Sequence, residues 1–377
     1  MEKDKFSLIT RNLEEILTPE DLKSLLANRE RLVHYIGFEI SGFVHLGTGL
    51  MSALKIKDFQ QAGVKCQIFL ADWHTWINEK LDGDLETIKK VAVGYFKEAL
   101  VQSLKAVGAD SDKVEFILGT DLYSGADEYW LTFIEVAKNT TLARTLRSID
   151  ILGRKQSEGI DFAKLLYPIM QIADLFYLGA NLPHAGLDQR KAYVVARAVA
   201  LELKTRPLFS KNREKLKPIA LHHHLLLGLG KPPVSVSDNF SKDEWRQLKI
   251  EMKMSKSKPE TCVFVHDSPE EIEQKIMKAF CPPKDTAYNP IIDWAINLIL
   301  PLQRELKVKT SAGEKLYDYN RKAELSKDYE DELIHPLDLK EAVIRELQTI
   351  LKPIYSHFSS DKAKKLKEEL EKIKPKN

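Results

Sequence analysis

The chain predicts an α/β fold: a doubly wound parallel sheet with a helical insertion, followed by an all-α C-terminal domain. Three observations predict it. Runs of β-branched and aromatic residues at 32–40, 65–73 and 113–118 alternate with segments of helical period, the pattern of strands that cross over through helices into one parallel sheet. A glycine-rich turn, 41–49, joins the first of those strands directly to a helix. From Asp267 the texture changes, and helical periodicity dominates to Lys374. The division that follows is a sheet domain over 1–264 and a helical domain over 265–377.

Taken in order, Leu17-Thr18-Pro19-Glu20-Asp21 is a helix start, with Thr18 as N-cap, Pro19 in the first position and acids in the first turn. That helix runs to about Asn28. The strand 32–40 and its glycine turn come next, then a helical pattern at Leu50, Leu54, Ile56 and Phe59 that stops at Gly63. The second strand, 65–73, ends in Asp72-Trp73-His74, where a parallel sheet places ligand-binding groups. A long amphipathic helix over 84–107 leads to the third strand, 113–118. Residues 127–152 read as helix, with Lys138, Arg144, Arg147 and Arg154 on it and just after it. They form either a solvated face or a helical insertion, at about 125–160, used for subunit pairing and RNA. Ser157-Glu158-Gly159 breaks the pattern. A helix over 162–178, interrupted near its start by Pro168, a short strand 181–184 and a helix 188–203 follow. Then come a basic loop 211–217, a strand 218–227 and a Gly/Pro/Ser loop 228–238. Asp267-Ser268-Pro269-Glu270-Glu271 is another capped helix start. Beyond it, 291–374 is mostly helical, with a polar segment 309–331 between helices. The stretch 361–377 carries seven lysines against four acids and reads as a frayed surface helix.

Composition narrows the function classes. The 377 residues suffice for two or three domains and a large core. Lys and Arg number 57 against 55 Asp and Glu, so there is no general basic coat and any RNA contact must be local. Cys66, Cys262 and Cys281 have no CxxC spacing, which suits a reducing cytosol and offers no zinc site. The mixed charges of Met1-Glu2-Lys3-Asp4-Lys5 do not form a signal peptide, and the apolar run 294–302 is too short to span a bilayer. A cytoplasmic protein, with no membrane partner, is the expectation.

The chemistry begins at 35–50, Tyr-Ile-Gly-Phe-Glu-Ile-Ser-Gly-Phe-Val-His-Leu-Gly-Thr-Gly-Leu. A strand, a glycine turn and a helix N-terminus present backbone N–H groups and a positive dipole end to an anion. Gly42, Gly47 and Gly49 let a polyphosphate approach the backbone, and His45 can donate to a phosphate oxygen. Far downstream, Lys253-Met254-Ser255-Lys256-Ser257 suits a mobile loop that closes on a triphosphate; its plain reading is a solvated charge run. Tyr167, Gln171 and Asp174 share one helical face by spacing, and three polar groups on an otherwise apolar helix need partners. Gly186-Leu187-Asp188-Gln189-Arg190-Lys191 adds a polar strand-to-helix turn. In His222-His223-His224 only the first and third share a strand face, without a carboxylate or cysteine nearby in sequence, so an ordinary strand end is preferred to a metal site.

His45-Leu46-Gly47-Thr48 and Lys253–Ser257 resemble HIGH and KMSKS, the two signatures of class I aminoacyl-tRNA synthetases. YPxMQxxD at 167–174 and GxDQRK at 186–191, after YxGFExSGxxHLG, together with 267–282 and His335-Pro336-Leu337-Asp338, resemble tyrosyl-tRNA synthetases of the archaeal and eukaryotic type over nearly the whole chain. The resemblance implies a Rossmann-like sheet with the amino acid at its centre. Tyr35 and Asp174 then hold the tyrosine hydroxyl, while Tyr167, Gln171 and Gln189 bind the ammonium side. Gly37, His45, Gly47 and Thr48 from the first signature, and Lys253, Ser255 and Lys256 from the second, serve ATP with its Mg2+. Arg190 and Lys191 reach the acceptor end of tRNA(Tyr), and His335 and Asp338 read the anticodon, with Tyr317 or Tyr319 as the stacking aromatic. The resemblance also implies a homodimer paired through the inserted helices, and no protein-bound metal.

In such a reaction the tyrosine carboxylate attacks the α-phosphate of ATP, releasing diphosphate, and the tyrosyl group then passes to the terminal ribose of the tRNA. A carboxylate attacks without a side-chain base, so positioning and charge neutralisation carry the step. Two departures stand out: Thr48 replaces the second histidine of HIGH, and Ile40 stands where the family often has proline. Three rivals remain: tryptophanyl-tRNA synthetase, which shares both signatures; a non-catalytic RNA-binding paralogue, which should have lost the lysine loop; and another adenylate-forming nucleotidyltransferase, which should lack an HPLD segment.

Overall fold

The computed structural model describes residues 2–149, 161–232, 241–256 and 258–374. Arg154, the break at 157–159, the end of the 228–238 loop and Ser257 lie outside the described residues. The central sheet has six strands in the order β1-β8-β5-β2-β3-β4. These are β1 (Leu13–Leu17), β2 (Val33–Phe38), β3 (Lys65–Leu70), β4 (Val114–Leu118), β5 (Leu182–Gly186) and β8 (Ala220–His223). The minor strands β6 (Leu208–Phe209) and β7 (Lys215–Leu216) form a short hairpin inside the expected basic loop. From β2 the chain winds outwards through β3 to β4, then crosses back to lay β5 and β8 on the other side of β2, all parallel. The direction of winding reverses between β2 and β5. The carboxyl ends of the strands at such a reversal are where doubly wound sheets bind ligands.

Several expectations are met in detail. Thr18 caps the helix Pro19–Ala27 by accepting from Asp21 N. Gly63, at φ +79°, ends the helix Ser52–Gln61. Ser268 and Glu271 form a reciprocal capping box at the start of Pro269–Met277.

Others are corrected. β1 was not foreseen, because Glu14 and Glu15 spoil its apolar pattern. It pairs antiparallel with β8, and its acids face His224 and His222. Of the expected helix over 127–152, residues 150–152 lie outside the described residues and the rest forms two helices, Asp127–Lys138 and Leu142–Ser148, the second capped by Thr141. Pro168 does not interrupt Phe162–Tyr177; most of that helix is buried, and its packing outweighs one lost backbone bond. Lys242–Met252, with its Ser241/Glu244 capping box, is an unforeseen helix just before the lysine segment. The C-terminal region is predominantly helical, but 309–331 is not a plain polar linker. A hairpin of β9 (Glu305–Thr310) and β10 (Gly313–Asp318) precedes the helix Lys322–Glu330. Leu306, Val308 and Tyr317 alternate inward from the hairpin, which the count of lysines on its other face conceals.

One apolar core runs without interruption from the helices on the sheet, through Val263 and Val265, to Ile291–Leu300 and the helix Pro336–Phe358. The C-terminal region is thereby packed onto the sheet layer rather than tethered to it.

Candidate active site

The turn after β2 is shaped by close approach. A side chain at Gly49 would lie 2.7 Å from Val265 and 2.8 Å from Ser103 Oγ, so only glycine lets the turn Gly47–Met51 seat against the core. Gly42 has φ +122°. A Cβ at Gly37 would fall 2.8 Å from the Tyr35 hydroxyl, so the strand end stays bare beside that group. His45 Nδ1 accepts the backbone N–H of Gly47 at 3.1 Å and of Thr48 at 3.3 Å. Two donors into Nδ1 place the proton on Nε2, which lies 3.2 Å from Thr48 Oγ1. Burial, with help from Lys256 and Lys253, pushes the imidazole pKa far down, so His45 is a neutral donor. Thr48, the departure from the signature, is thus a hydrogen-bond partner of His45 rather than an independent group.

The lysine segment returns to this turn from the far side. Met254 is buried and its N–H donates to Leu226 O at 2.7 Å, while Gly228 N–H donates to Met252 O at 2.8 Å. On that short pairing Lys253 Nζ reaches Asp188 Oδ2 at 2.5 Å. Burial disfavours both charges, yet their mutual attraction lowers the Asp188 pKa and raises that of Lys253. Lys256 Nζ donates to Ser41 Oγ at 3.1 Å and lies 5.1 Å over the Phe96 ring. Burial draws its pKa down to about 8. Ser255 lies between the two lysines.

A cluster of buried tyrosines surrounds Asp174. Asp174, on Phe162–Tyr177, is fully buried and accepts the hydroxyls of Tyr123 and Tyr129, each at 3.0 Å and both on Oδ1. Oδ2 receives no hydrogen bond from the described residues; His74 Nε2 stands 3.5 Å from it. Burial pushes the Asp174 pKa up, against the two phenols. Tyr35 and Tyr167 are buried, with pKa values raised by burial and then, for Tyr35, by the Asp174 charge, or, for Tyr167, by Glu39. Tyr167 meets the edge of His74 with ring centres 4.6 Å apart. Gln171 Nε2 donates to Gln189 Oε1 at 3.3 Å, which joins the YPxMQxxD helix to the GxDQRK turn. Asp72 accepts from Thr120 N at 3.0 Å and thereby ties the end of β3 to that of β4.

Gln171 is bonded to Gln189, and Tyr35 and Tyr167 both feel the Asp174 charge; Lys253, on Asp188, and Lys256 both bear on His45 and its partners Gly47 and Thr48. Sequence reasoning missed Tyr123 and Tyr129, although both follow the carboxyl end of β4, where the topology would have pointed; His74, expected at the ligand-binding end of β3, stands beside Asp174. The GxDQRK motif contains Asp188, but only the fold brings Lys253 to it.

Arg190 and Lys191 open the helix Arg190–Val199, with Arg190 Nε on both Glu15 oxygens at 2.8 Å. His335 is the N-cap of Pro336–Phe358, accepting from Leu337 N–H, with Asp338 in the first turn and Lys309 Nζ 3.5 Å from its carboxylate. Tyr317 is buried with its hydroxyl on Asp328, and Tyr319 bonds Asn12 under the Arg304 guanidinium. Tyr317 therefore cannot offer an open stacking face. His222, His223 and His224 diverge to Glu15, His184 and Glu14 with Asp293. Among the described residues no group of three or more His, Cys, Asp or Glu side chains is placed to hold a metal ion.

Residues 27–352 match the family model described as tRNA synthetases class I (W and Y). The chain is 55% identical over 348 residues, 92% of each chain, to the tyrosine–tRNA ligase of Thermococcus kodakarensis. The chain belongs to the class I tyrosyl-tRNA synthetases of the archaeal and eukaryotic type. A second relative of the family, tyrosine–tRNA ligase 1 of Pyrobaculum aerophilum, is 45% identical with 97% of each chain covered. The crystal structure of tyrosyl-tRNA synthetase complexed with L-tyrosine from Pyrococcus horikoshii superposes with TM-score 0.93 at 48% identity, covering 99% of this chain and 100% of that one. The tryptophanyl-tRNA synthetase of Aeropyrum pernix reaches TM-score 0.63 at 17% identity and shares the fold.

Proposed function

We propose that this chain is a tyrosine–tRNA ligase that forms tyrosyl-adenylate from L-tyrosine and Mg·ATP, then transfers the tyrosyl group to the 3′ end of tRNA(Tyr). The observation that carries the reading is Asp174. Its Oδ1 is occupied by two phenols and its Oδ2 is left to one more donor, which a substrate hydroxyl supplies. Tyr35 stands beside that hydroxyl, and Tyr167, Gln171 and Gln189 hold the ammonium at the other end. The substrate carboxylate then faces the α-phosphate. His45 Nε2–H, held in that tautomer by the Gly47 and Thr48 N–H groups, and the ammonium groups of Lys253 and Lys256 balance the charge that develops on diphosphate. Gly37 leaves room for the nucleotide. Lys253 must leave Asp188 to do this, which fits a loop that closes as the reaction proceeds.

Residues 1–264 are the catalytic domain and 265–377 the anticodon-binding domain, with Arg190 and Lys191 at the acceptor end and His335 and Asp338 at the anticodon. The protein pairs as a homodimer through the inserted helices, a reading supported by the exposed apolar side chains of Trp130, Leu131, Ile134 and Leu142. It acts in the cytoplasm, in keeping with three free cysteines. ATP–diphosphate exchange with each of the twenty amino acids tests the assignment. Exchange with tyrosine alone is expected, whereas exchange with tryptophan, or none at all, overturns it.

A further inference from the structure

Leu227 is held by an element from the other end of the chain. Its N–H donates to Asp293 Oδ2 at 3.0 Å, and its C=O accepts from Trp294 Nε1 at 2.8 Å. Both partners lie on the helix Pro290–Trp294, at the head of the long C-terminal helical run. The flanking residues point the other way, as they must in an extended segment. Leu226 O and Gly228 N–H bond to Met254 N–H and Met252 O, and Leu227 stands opposite Lys253. Residues 226–228 are thus a single strand with two occupied edges: C-terminal helix on one, lysine segment on the other.

The clamp is itself immobilised. Asp293 Oδ1 accepts from His224 Nε2 at 2.6 Å and from Asn297 Nδ2 at 2.9 Å. Trp294 is completely buried, and its neighbours Ala295 and Leu298 belong to the shared core. Lys253 and Lys256 are on the far side of this strand, and any change in its register or tilt moves their roots. Charge neutralisation in a transition state is sensitive to displacements of about 1 Å.

We propose that Asp293 and Trp294 are positioning residues for amino-acid activation: they fix the strand on which the lysine loop is mounted, so the rate of adenylate formation depends on two side chains of the C-terminal region. The proposal rests on reading Lys253 and Lys256 as the groups that neutralise diphosphate.

The test uses the full chain and two single variants. Asp293→Asn offers one acceptor where the carboxylate offers two, so either Leu227 or His224 loses its partner. Trp294→Phe keeps a buried aromatic ring and deletes only the donor to Leu227 O. Single-turnover formation of tyrosyl-adenylate is measured at saturating tyrosine and ATP, with the tyrosine dissociation constant by equilibrium dialysis and the unfolding midpoint by calorimetry. Each variant should lower the rate at least tenfold and leave the tyrosine constant within twofold. Ile299→Val, a core truncation in the same helical run that makes none of these bonds, should lower the midpoint and spare the rate. The proposal is overturned if both variants keep wild-type rates, if tyrosine binding weakens in step with the rate, or if Ile299→Val loses rate to the same extent. Should Asp293→Asn not fold, Trp294→Phe alone decides by the same criteria. A wild-type chain without tyrosine-dependent diphosphate exchange would instead refute the functional reading on which the proposal stands.

Discussion

Lys256 Nζ donates to Ser41 Oγ at 3.1 Å, which brings the second signature against the first across most of the sheet domain. The ammonium is already beside the glycine turn before any nucleotide is considered, and burial holds its pKa at about 8. Below that value the side chain is charged and can neutralise diphosphate; above it the side chain is neutral and cannot. The kcat/KM for ATP, which reports groups of the free enzyme, should therefore fall as pH rises through about 8. Lys256→Arg stays charged across that range and should remove the fall. Lys256→Ala should lower the activation rate by roughly 10²-fold or more, by analogy with the loss of one preorganised donor, with the tyrosine dissociation constant little changed. A flat wild-type profile between pH 7 and 9, or an unaltered rate in the alanine variant, would remove Lys256 from this role.

Asp174 should decide between tyrosine and phenylalanine. Phenylalanine would leave Oδ2 buried without a donor, whereas tyrosine satisfies it. Asp174→Ala should reduce tyrosine activation far more than phenylalanine activation. A hydrogen bond to a charged group contributes about 1.5–3 kcal/mol, so the discrimination should shrink by at least ten- to 150-fold. Tyr129→Phe deletes one of the two hydroxyls on Oδ1 and should give a smaller loss in the same direction. Equal losses for both amino acids would mean that Asp174 only supports the fold.

The sheet, the glycine turn and the lysine segment were legible because each depends on a local pattern: strand composition, a capped helix start, a motif. What escaped depends on partners far apart in sequence. Glu14 and Glu15 look like surface acids until β8 brings His224 and His222 to them. Tyr123 and Tyr129 look like ordinary apolar-face residues until Asp174 arrives from the helix Phe162–Tyr177. The hairpin β9–β10 hides because its lysines mask an inward alternation of Leu306 and Val308. Thr48 was legible as a departure from the signature, but its bond to His45 is a matter of geometry alone.

His224 should make stability depend on pH. Burial opposes its charge, but Asp293 and Glu14 outweigh burial and raise its pKa from 6.5 to about 9. A folded-state pKa above the unfolded value means that the stabilisation is complete below about pH 6.5 and is lost as pH rises through about 9. Glu14, with a pKa of about 2, remains charged throughout that window, and Lys249 on the same carboxylate does not replace the imidazolium. The unfolding midpoint should therefore decline from pH 6.5 to 9, by a free energy on the order of 2–3 kcal/mol. His224→Gln should flatten the decline. Parallel declines in the two proteins would assign the effect to other groups.

Asp338 poses the sharpest choice between a structural and a functional role. It lies in the first turn of Pro336–Phe358, where a negative charge is favoured by the helix dipole, and Lys309 reaches it from β9 at 3.5 Å. A purely structural acid there contributes about 0.3–1 kcal/mol to stability and has no effect on which tRNA is charged. A reader of the anticodon behaves differently. Guanine, the first base of tyrosine anticodons, presents two adjacent N–H donors on its Watson–Crick edge. One carboxylate can accept both, and adenine, cytosine and uracil do not offer the pair. Unstacked loop bases are recognised on such edges, often beside an aromatic plane, and the exposed His335 ring two residues before the first-turn leucine is available as that plane. Asp338→Ala should leave tyrosine-dependent diphosphate exchange intact. It should cost roughly 1–3 kcal/mol in aminoacylation of tRNA with guanine first in the anticodon, as for other bidentate base contacts. It should also flatten the preference among the four possible first bases. If the variant kept its preference for guanine and lost only thermal stability, Asp338 would be a helix-terminal acid paired with Lys309, and recognition of the anticodon would belong to another part of 265–377.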